Sequence, residues 1–261
     1  MPRKVLRRVA AFLAMVMIAA SCASQAATGG GAETDDGRRE LTVLAAASLT
    51  EVFQALEEPF GALQPDASLR FSFESSSTLV AQVQQGIEAD VIATADEVTM
   101  GQVESAGLLA GPPQVFALNE LAIIVETGNP QNVRGLSDLA DPELKVVLAA
   151  EEVPAGAYAR EALDAAGVEV EPVSLEEDVK AVVSKISLGE ADAGIVYVTD
   201  VNAAGPSVSS VPIPEEHNVV ARYPIAVLKD PPNRQHAEDF VALVLSEEGR
   251  QALRDAGFSV P

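Results

Sequence analysis

From Leu41 to the C-terminus, short apolar runs alternate with stretches that carry an apolar face at helical spacing. "LTVLAAAS", "SLRFSFES", "ADVIATAD", "LAIIVET", "LKVVLAA", "ADAGIVYVTD" and "YPIAVLKD" read as strands. "EVFQALEEPFGAL", "STLVAQVQQG", "EVTMGQVESAG", "PAGAYAREALDAAG" and "LEEDVKAVVSKISLGE" read as helices, and "RQHAEDFVALVLSEEGRQALRDAG" as one or two more. Alternation of this kind predicts an α/β fold with mostly parallel sheets and right-handed crossovers. More than two hundred residues of it suit two lobes. In such sheets a ligand sits beyond the carboxyl ends of the strands. A site is therefore expected where strands give way to helices.

Four junctions share a character. Ser48 and Glu51 in "SLTE" have the spacing of a capping box, and Ser174 with Glu177 in "SLEE" repeats it. Ser75, Ser76 and Ser77 stand together before a helix, and Pro154 opens another, followed by the small Ala155 and Gly156. Helix N-termini carry unsatisfied N–H groups and about half a positive charge. Several aimed at one cleft would bind an anion without lysine or arginine. Each junction alone could equally be a simple cap.

Hydrophobic residues make up 48% of the 261, which is a globular composition. The net charge of −22 argues against nucleic acid, whose phosphates need a basic surface. At the N-terminus a basic "MPRKVLRR" precedes an apolar "VAAFLAMVMIAA" and then "SC". This reads as a signal peptide over residues 1–21, too short in its apolar part for a comfortable membrane span. "IAASC" resembles a bacterial lipobox, which would make Cys22 a lipidated first residue of the mature chain. Cys22 is the only cysteine, so no intrachain disulfide can form. Loss of Arg3, Lys4, Arg7 and Arg8 with the leader takes the charge to about −26. Residues 22–39 are small, polar and glycine-rich, as in a flexible tether.

The strings "TVLAAASLTE", "FSFESSSTLVAQVQQG", "ADVIATAD", "EEVPAGAYAREAL", "EDVKAVVSKISLGEADAGIVYVTD" and "YPIAVL" together resemble the molybdate-binding proteins of bacterial molybdate importers, in order and spacing. The resemblance implies a two-lobed, periplasmic-binding-protein-like (type II) α/β fold with an oxyanion site in the interlobe cleft. The implied lobes are 40–118 with 224–261, and 119–223. The implied ligand is molybdate, and tungstate with it, held by the Ser48 and Ser76 hydroxyls and amides, the Ala155 and Val179 amides and the Tyr197 hydroxyl. The implied partner is an ABC-type permease, and a monomer without cofactor or metal ligands is expected. Glu74, before the serine triplet, and Val198, where the family often has a small residue, depart from the pattern.

Rival readings have less support. A serine hydrolase using Ser48 or Ser76 lacks a GxSxG elbow. The only histidines, His217 and His236, read as solvated surface. There is no HExxH and no Cys/His cluster for a metal enzyme. Sulfate remains the alternative ligand, since it differs from molybdate chiefly in size.

Overall fold

The computed structural model describes residues 38–261. The expected signal peptide, Cys22 and most of the expected tether lie outside the described residues. The chain folds as a mixed α/β protein. Its first strand, β1 (Arg39–Ala46), pairs in parallel with β2 (Ala67–Glu74) and β3 (Val91–Ala93). A long strand, β4 (Gln114–Glu126), follows. Beyond it come β5 (Val146–Ala149), β6 (Ser174–Glu176), β7 (Ala193–Tyr197), β8 (Val208–Pro212) and β9 (Val220–Val227). The order across the sheet is β2-β1-β3-β9-β4-β7-β5-β6, with β8 added against β4.

Strand β4 joins the two halves of this arrangement. Its first part, to Glu120, pairs antiparallel with β9; its second part, from Leu121, pairs antiparallel with β7 and β8. Strands β5, β6 and β7 are mutually parallel. The mostly parallel sheet expected from the alternation is thus corrected. Every pairing of β4 is antiparallel, as is that of β9 with β3. The sequence pattern registered only the second part of β4, because Asn119 and Glu120 interrupt its apolar run. Strand β8, "VSSVP", is short and polar and gave no signal.

The helices follow local chemistry. The predicted helix "EVFQALEEPFGAL" is two helices, α1 (Thr50–Ala55) and α2 (Glu57–Leu63). Pro59 lacks an N–H and would crowd the carbonyl four residues back, at Ala55, which is where α1 stops. Helix α3 (Ser76–Gln84) is capped by Ser75 and α4 (Glu97–Ser105) by Asp96, each side chain accepting from the N–H three residues on. Helix α5 (Pro154–Ala166) starts on its proline and ends at Gly167, whose φ of 66° is the left-handed conformation a helix C-terminus favours. Helix α6 (Val179–Ser187) follows β6, and α7 (Val198–Ala204) follows β7 directly. The C-terminal segment forms two helices, α8 (Arg234–Leu245) and α9 (Glu247–Asp255).

The core of the first half is aromatic. Phe53 of α1 packs edge-on against Phe240 of α8 with centroids 5.5 Å apart, and Phe60 and Phe71 join them. Full burial of one such ring stabilises by roughly 1.5–3 kcal/mol. The aromatic contacts continue through Phe116 to Tyr223, and from Tyr223 to Tyr197, 5.8 Å between centroids. This path leads from the hydrophobic core to the C-terminal end of β7.

Candidate functional site

Six strand ends meet at one place. Residues at or just after the C-termini of β1, β2, β3, β5 and β6, with the last residue of β7, border a small cavity of about 20 Å³. Drug-sized pockets run to ~300–1,000 Å³, so this one suits a small ion. Ser48, Ser76, Ala155, Val179 and Tyr197 all line it, as do Ser75, Ala95 and Asp178. Sequence reasoning found the first four as junctions. Tyr197 entered through the family resemblance alone, because a tyrosine ending an apolar strand looks like any core tyrosine.

The three helices that meet the cavity each leave an amide for it. Ser76 is the first residue of α3, Val179 the first of α6, and Ala155 the second of α5, after a proline with no N–H. Their N–H groups have no protein partner among the described residues. Later amides of α3 and α6 are held by caps, Thr78 by Ser75 and Ala181 by Asp178 at 2.8 Å, while that of Gly156 in α5 bonds the Val153 carbonyl.

The two serine hydroxyls are held by the fold, and that of Ser76 is set up as a donor. Ser76 Oγ accepts from the Ala95 N–H at 2.9 Å, which leaves its own proton to give. Ser76 is therefore no cap; Ser75 does that work. Ser48 Oγ lies 3.0 Å from the Tyr223 hydroxyl. The Asn119 amide is oriented by the Glu120 N–H on its Oδ1, so its Nδ2 donates, to Thr199 Oγ1 at 2.8 Å and to Tyr223 at 3.4 Å. Tyr223 thus accepts from Asn119 and shares a second hydrogen bond with Ser48 in which either hydroxyl can donate. Asn119, Tyr223 and Ala95 were missed at the sequence level. "YPIAVL" contained Tyr223, but only as part of a strand.

Tyr197 has a fully buried hydroxyl with no hydrogen bond among the described residues. It is near Tyr223 but outside hydrogen-bonding geometry. Burial first, then Tyr223, Tyr158 and the carboxylates of Asp200 and Asp96, push its pKa well above the usual tyrosine range. At neutral pH it keeps its proton. A buried hydroxyl without a partner costs about 1–3 kcal/mol, which a bound acceptor would recover.

Both expected capping boxes are corrected. Ser48 sits in a buried 3₁₀ turn, Ala47–Leu49, and caps nothing, while Glu51 turns to Lys180. Ser174 lies in β6 and bonds Glu176; Asp178 caps α6 instead, because it is the residue next to the first turn. Asp178 also adds a carboxylate to the cavity wall that the sequence reading lacked. Glu74 and Val198, the departures from the family pattern, do not line the cavity. The histidines are less solvated than expected. The His236 side chain is 12% exposed beside Asp66, and His217 buries its Nδ1. Neither borders the cavity. Among the described residues no group of three or more His, Cys, Asp or Glu could hold a metal, and no helix is long and apolar enough to cross a membrane.

The pattern of the bacterial extracellular solute-binding proteins matches residues 41–259. The molybdate-binding protein ModA of Mycobacterium tuberculosis (strain H37Rv) is 41% identical over 253 residues, covering 97% of this chain and 96% of that protein. Two solved structures share the fold at lower identity. The periplasmic molybdate-binding protein of Azotobacter vinelandii superposes with a TM-score of 0.72 at 20% identity, covering 85% of this chain and 99% of that one. The sulfate-binding protein SubI of Mycobacterium tuberculosis does so with a TM-score of 0.75 at 19% identity, covering 85% and 86%. A pattern that takes in almost every described residue, with every residue that lines the cavity inside it, makes this chain a member of the bacterial extracellular solute-binding protein family.

Proposed function

We propose that the protein captures molybdate, and tungstate with it, outside the cytoplasm and presents it to an ABC-type permease. One observation carries the reading: the cavity is bordered by the free amides of three helix N-termini and by the hydroxyl residues Ser48, Ser75, Ser76 and Tyr197, of which Tyr197's hydroxyl is buried and without a partner among the described residues. A fully deprotonated tetrahedral dianion is the complement of such a donor set. The 41% identity to a molybdate-binding protein supports molybdate over sulfate. Ser48, Ser76, Ala155, Val179 and Tyr197 are the ligand-binding residues of this reading. No catalysis, cofactor or resident metal is part of it.

The same reading has two lobes, 40–118 with 224–261 and 119–223, closing over the ion as a monomer. Donors from both then replace its water. The closed form is what the permease recognises. Titration calorimetry with molybdate, tungstate, sulfate and phosphate tests it; tighter binding of sulfate than of molybdate would sink it. A thermal assay gives a second check. At a hundredfold excess over Kd a ligand specific for the folded state adds about 2.7 kcal/mol. For a domain of this size that raises the melting temperature by roughly 5–10 °C. Molybdate and tungstate are expected to do so where sulfate at equal ionic strength does little.

The anchor belongs to this reading as well. A leader ending before Cys22, followed by a lipidated cysteine and a tether, would hold the protein at the membrane surface, since acyl chains contribute about 0.8 kcal/mol per buried CH₂. Cys22→Ala is expected to move the protein from the membrane fraction to the soluble one. Wild-type protein found wholly in the soluble fraction would exclude the anchor.

A further inference from the structure

Beside the cavity, but not in its wall, Glu51, Lys180 and Asp200 form an ion triad. Lys180 Nζ lies 2.8 and 2.9 Å from the Glu51 carboxylate oxygens and 3.3 Å from Asp200 Oδ1. Each member follows a cavity residue closely. Glu51 comes three residues after Ser48, Lys180 directly after Val179, and Asp200 three after Tyr197, whose N–H its Oδ2 accepts at 3.2 Å. One ammonium group thus ties together three of the chain segments that border the cavity.

The two arms differ. Asp200 and Lys180 both belong to the half of the fold built on β5, β6 and β7, and the Asp200 side chain is fully enclosed. Burial pushes the Asp200 carboxyl up to about 6, with Lys180 opposing the rise. That arm supports the fold. The other arm crosses from α6 to α1, which packs with the β1 half, and Glu51 is 49% exposed. An exposed pair adds little to folding. A contact that exists only when the two halves are together nevertheless adds its whole free energy to the closed form.

We propose that Lys180 and Glu51 form a latch across the cleft that holds the closed form, positions Ser48 and Val179 about the ion and slows its release without touching it. The proposal rests on the oxyanion reading above. Lys180→Met would strand the buried Asp200 carboxylate and could fail to fold, so the cross-cleft arm is better cut from the Glu51 side. Stopped-flow release of bound molybdate is compared for wild type, Glu51→Gln, Glu51→Lys and Lys180→Arg, with small-angle scattering of each ligand-free protein. Glu51→Gln is expected to release about three- to fivefold faster at low salt, the scale of one exposed ion pair. Glu51→Lys should release faster still, and Lys180→Arg should stay near wild type. The gap between Glu51→Gln and wild type should close at about 0.5 M salt, where exposed charges are screened. The ligand-free Glu51→Gln should show a larger radius of gyration. Release from Glu51→Gln at the wild-type rate in low salt overturns the latch while leaving the oxyanion reading intact. If wild type takes up no molybdate, the oxyanion reading fails instead, and equal radii for wild type and Glu51→Gln then overturn the latch independently.

Discussion

Ser76→Asp is expected to abolish molybdate binding in a protein that still folds. The substitution keeps an acceptor for the Ala95 N–H and sets a carboxylate at the first residue of α3, where the helix dipole favours it. What it changes is the cavity. Two unit charges 4 Å apart repel by about 4 kcal/mol at an effective dielectric of ~20, and a dianion doubles that. A loss of at least about a thousandfold in affinity follows, by calorimetry. Ser76→Ala is milder on binding, about 1.5–3 kcal/mol for one charge-assisted hydrogen bond. It is harsher on the fold, because the buried Ala95 N–H loses its partner. Ser184→Ala serves as a control, since that hydroxyl is exposed and bonds only the Lys180 carbonyl of its own helix. Tight molybdate binding by Ser76→Asp would remove Ser76 from the site.

Gly156→Ala should be the most damaging one-carbon change near the cavity. Gly156 is the third residue of α5, and a Cβ there would overlap the carbonyl oxygens of Ala149 and Ala150 and come within 2.7 Å of the Ala150 carbonyl carbon. All three are backbone atoms, so no side chain can swing away. The start of α5 would have to lift off the end of β5 and take the Ala155 N–H with it. Overpacking of this kind costs about 1–3 kcal/mol and sometimes more. At roughly 2–4 °C per kcal/mol, a fall of several degrees in melting temperature is expected. Molybdate affinity should fall in the same variant. Gly101→Ala, in the middle of α4 with nothing within 4 Å of where its Cβ would stand, should instead stabilise by about 0.4–1 kcal/mol. A Gly156→Ala protein as stable and as tight-binding as wild type would mean that the α5 terminus is not held where the structure has it.

The residues differ in how openly the sequence declared them. The helix starts at Ser76 and Pro154 were legible because a serine triplet and a proline each have one strong local meaning there. Helix α6 was legible, but its cap was not. Ser174 and Glu177 fit a spacing rule, while Asp178 won by adjacency. Ser48 with Glu51 fitted the same rule and failed for a non-local reason, since Glu51 finds a lysine 129 residues away. The support behind the hydroxyls was illegible on the same ground. Asn119 and Tyr223 are 104 residues apart, and only the pairing of β4 with β9 brings them together behind Ser48. The antiparallel course of β4 was hidden too. Strand direction depends on where the chain has come from, and hydrophobic alternation does not record it.

No lysine, arginine or histidine borders the cavity, and the chain as a whole carries −22. Neutral N–H and O–H dipoles act over about a hydrogen-bond length, whereas net charge reaches out to a Debye length of about 8 Å at physiological salt. An anion therefore travels uphill through the surface field and meets attraction only on contact. Charge does not steer it in, as it would for a site ringed with lysines. Every dianion of similar size should arrive at a similar, salt-assisted rate. Sorting among them falls to dwell time: the ion that fits the donors best is the one that stays.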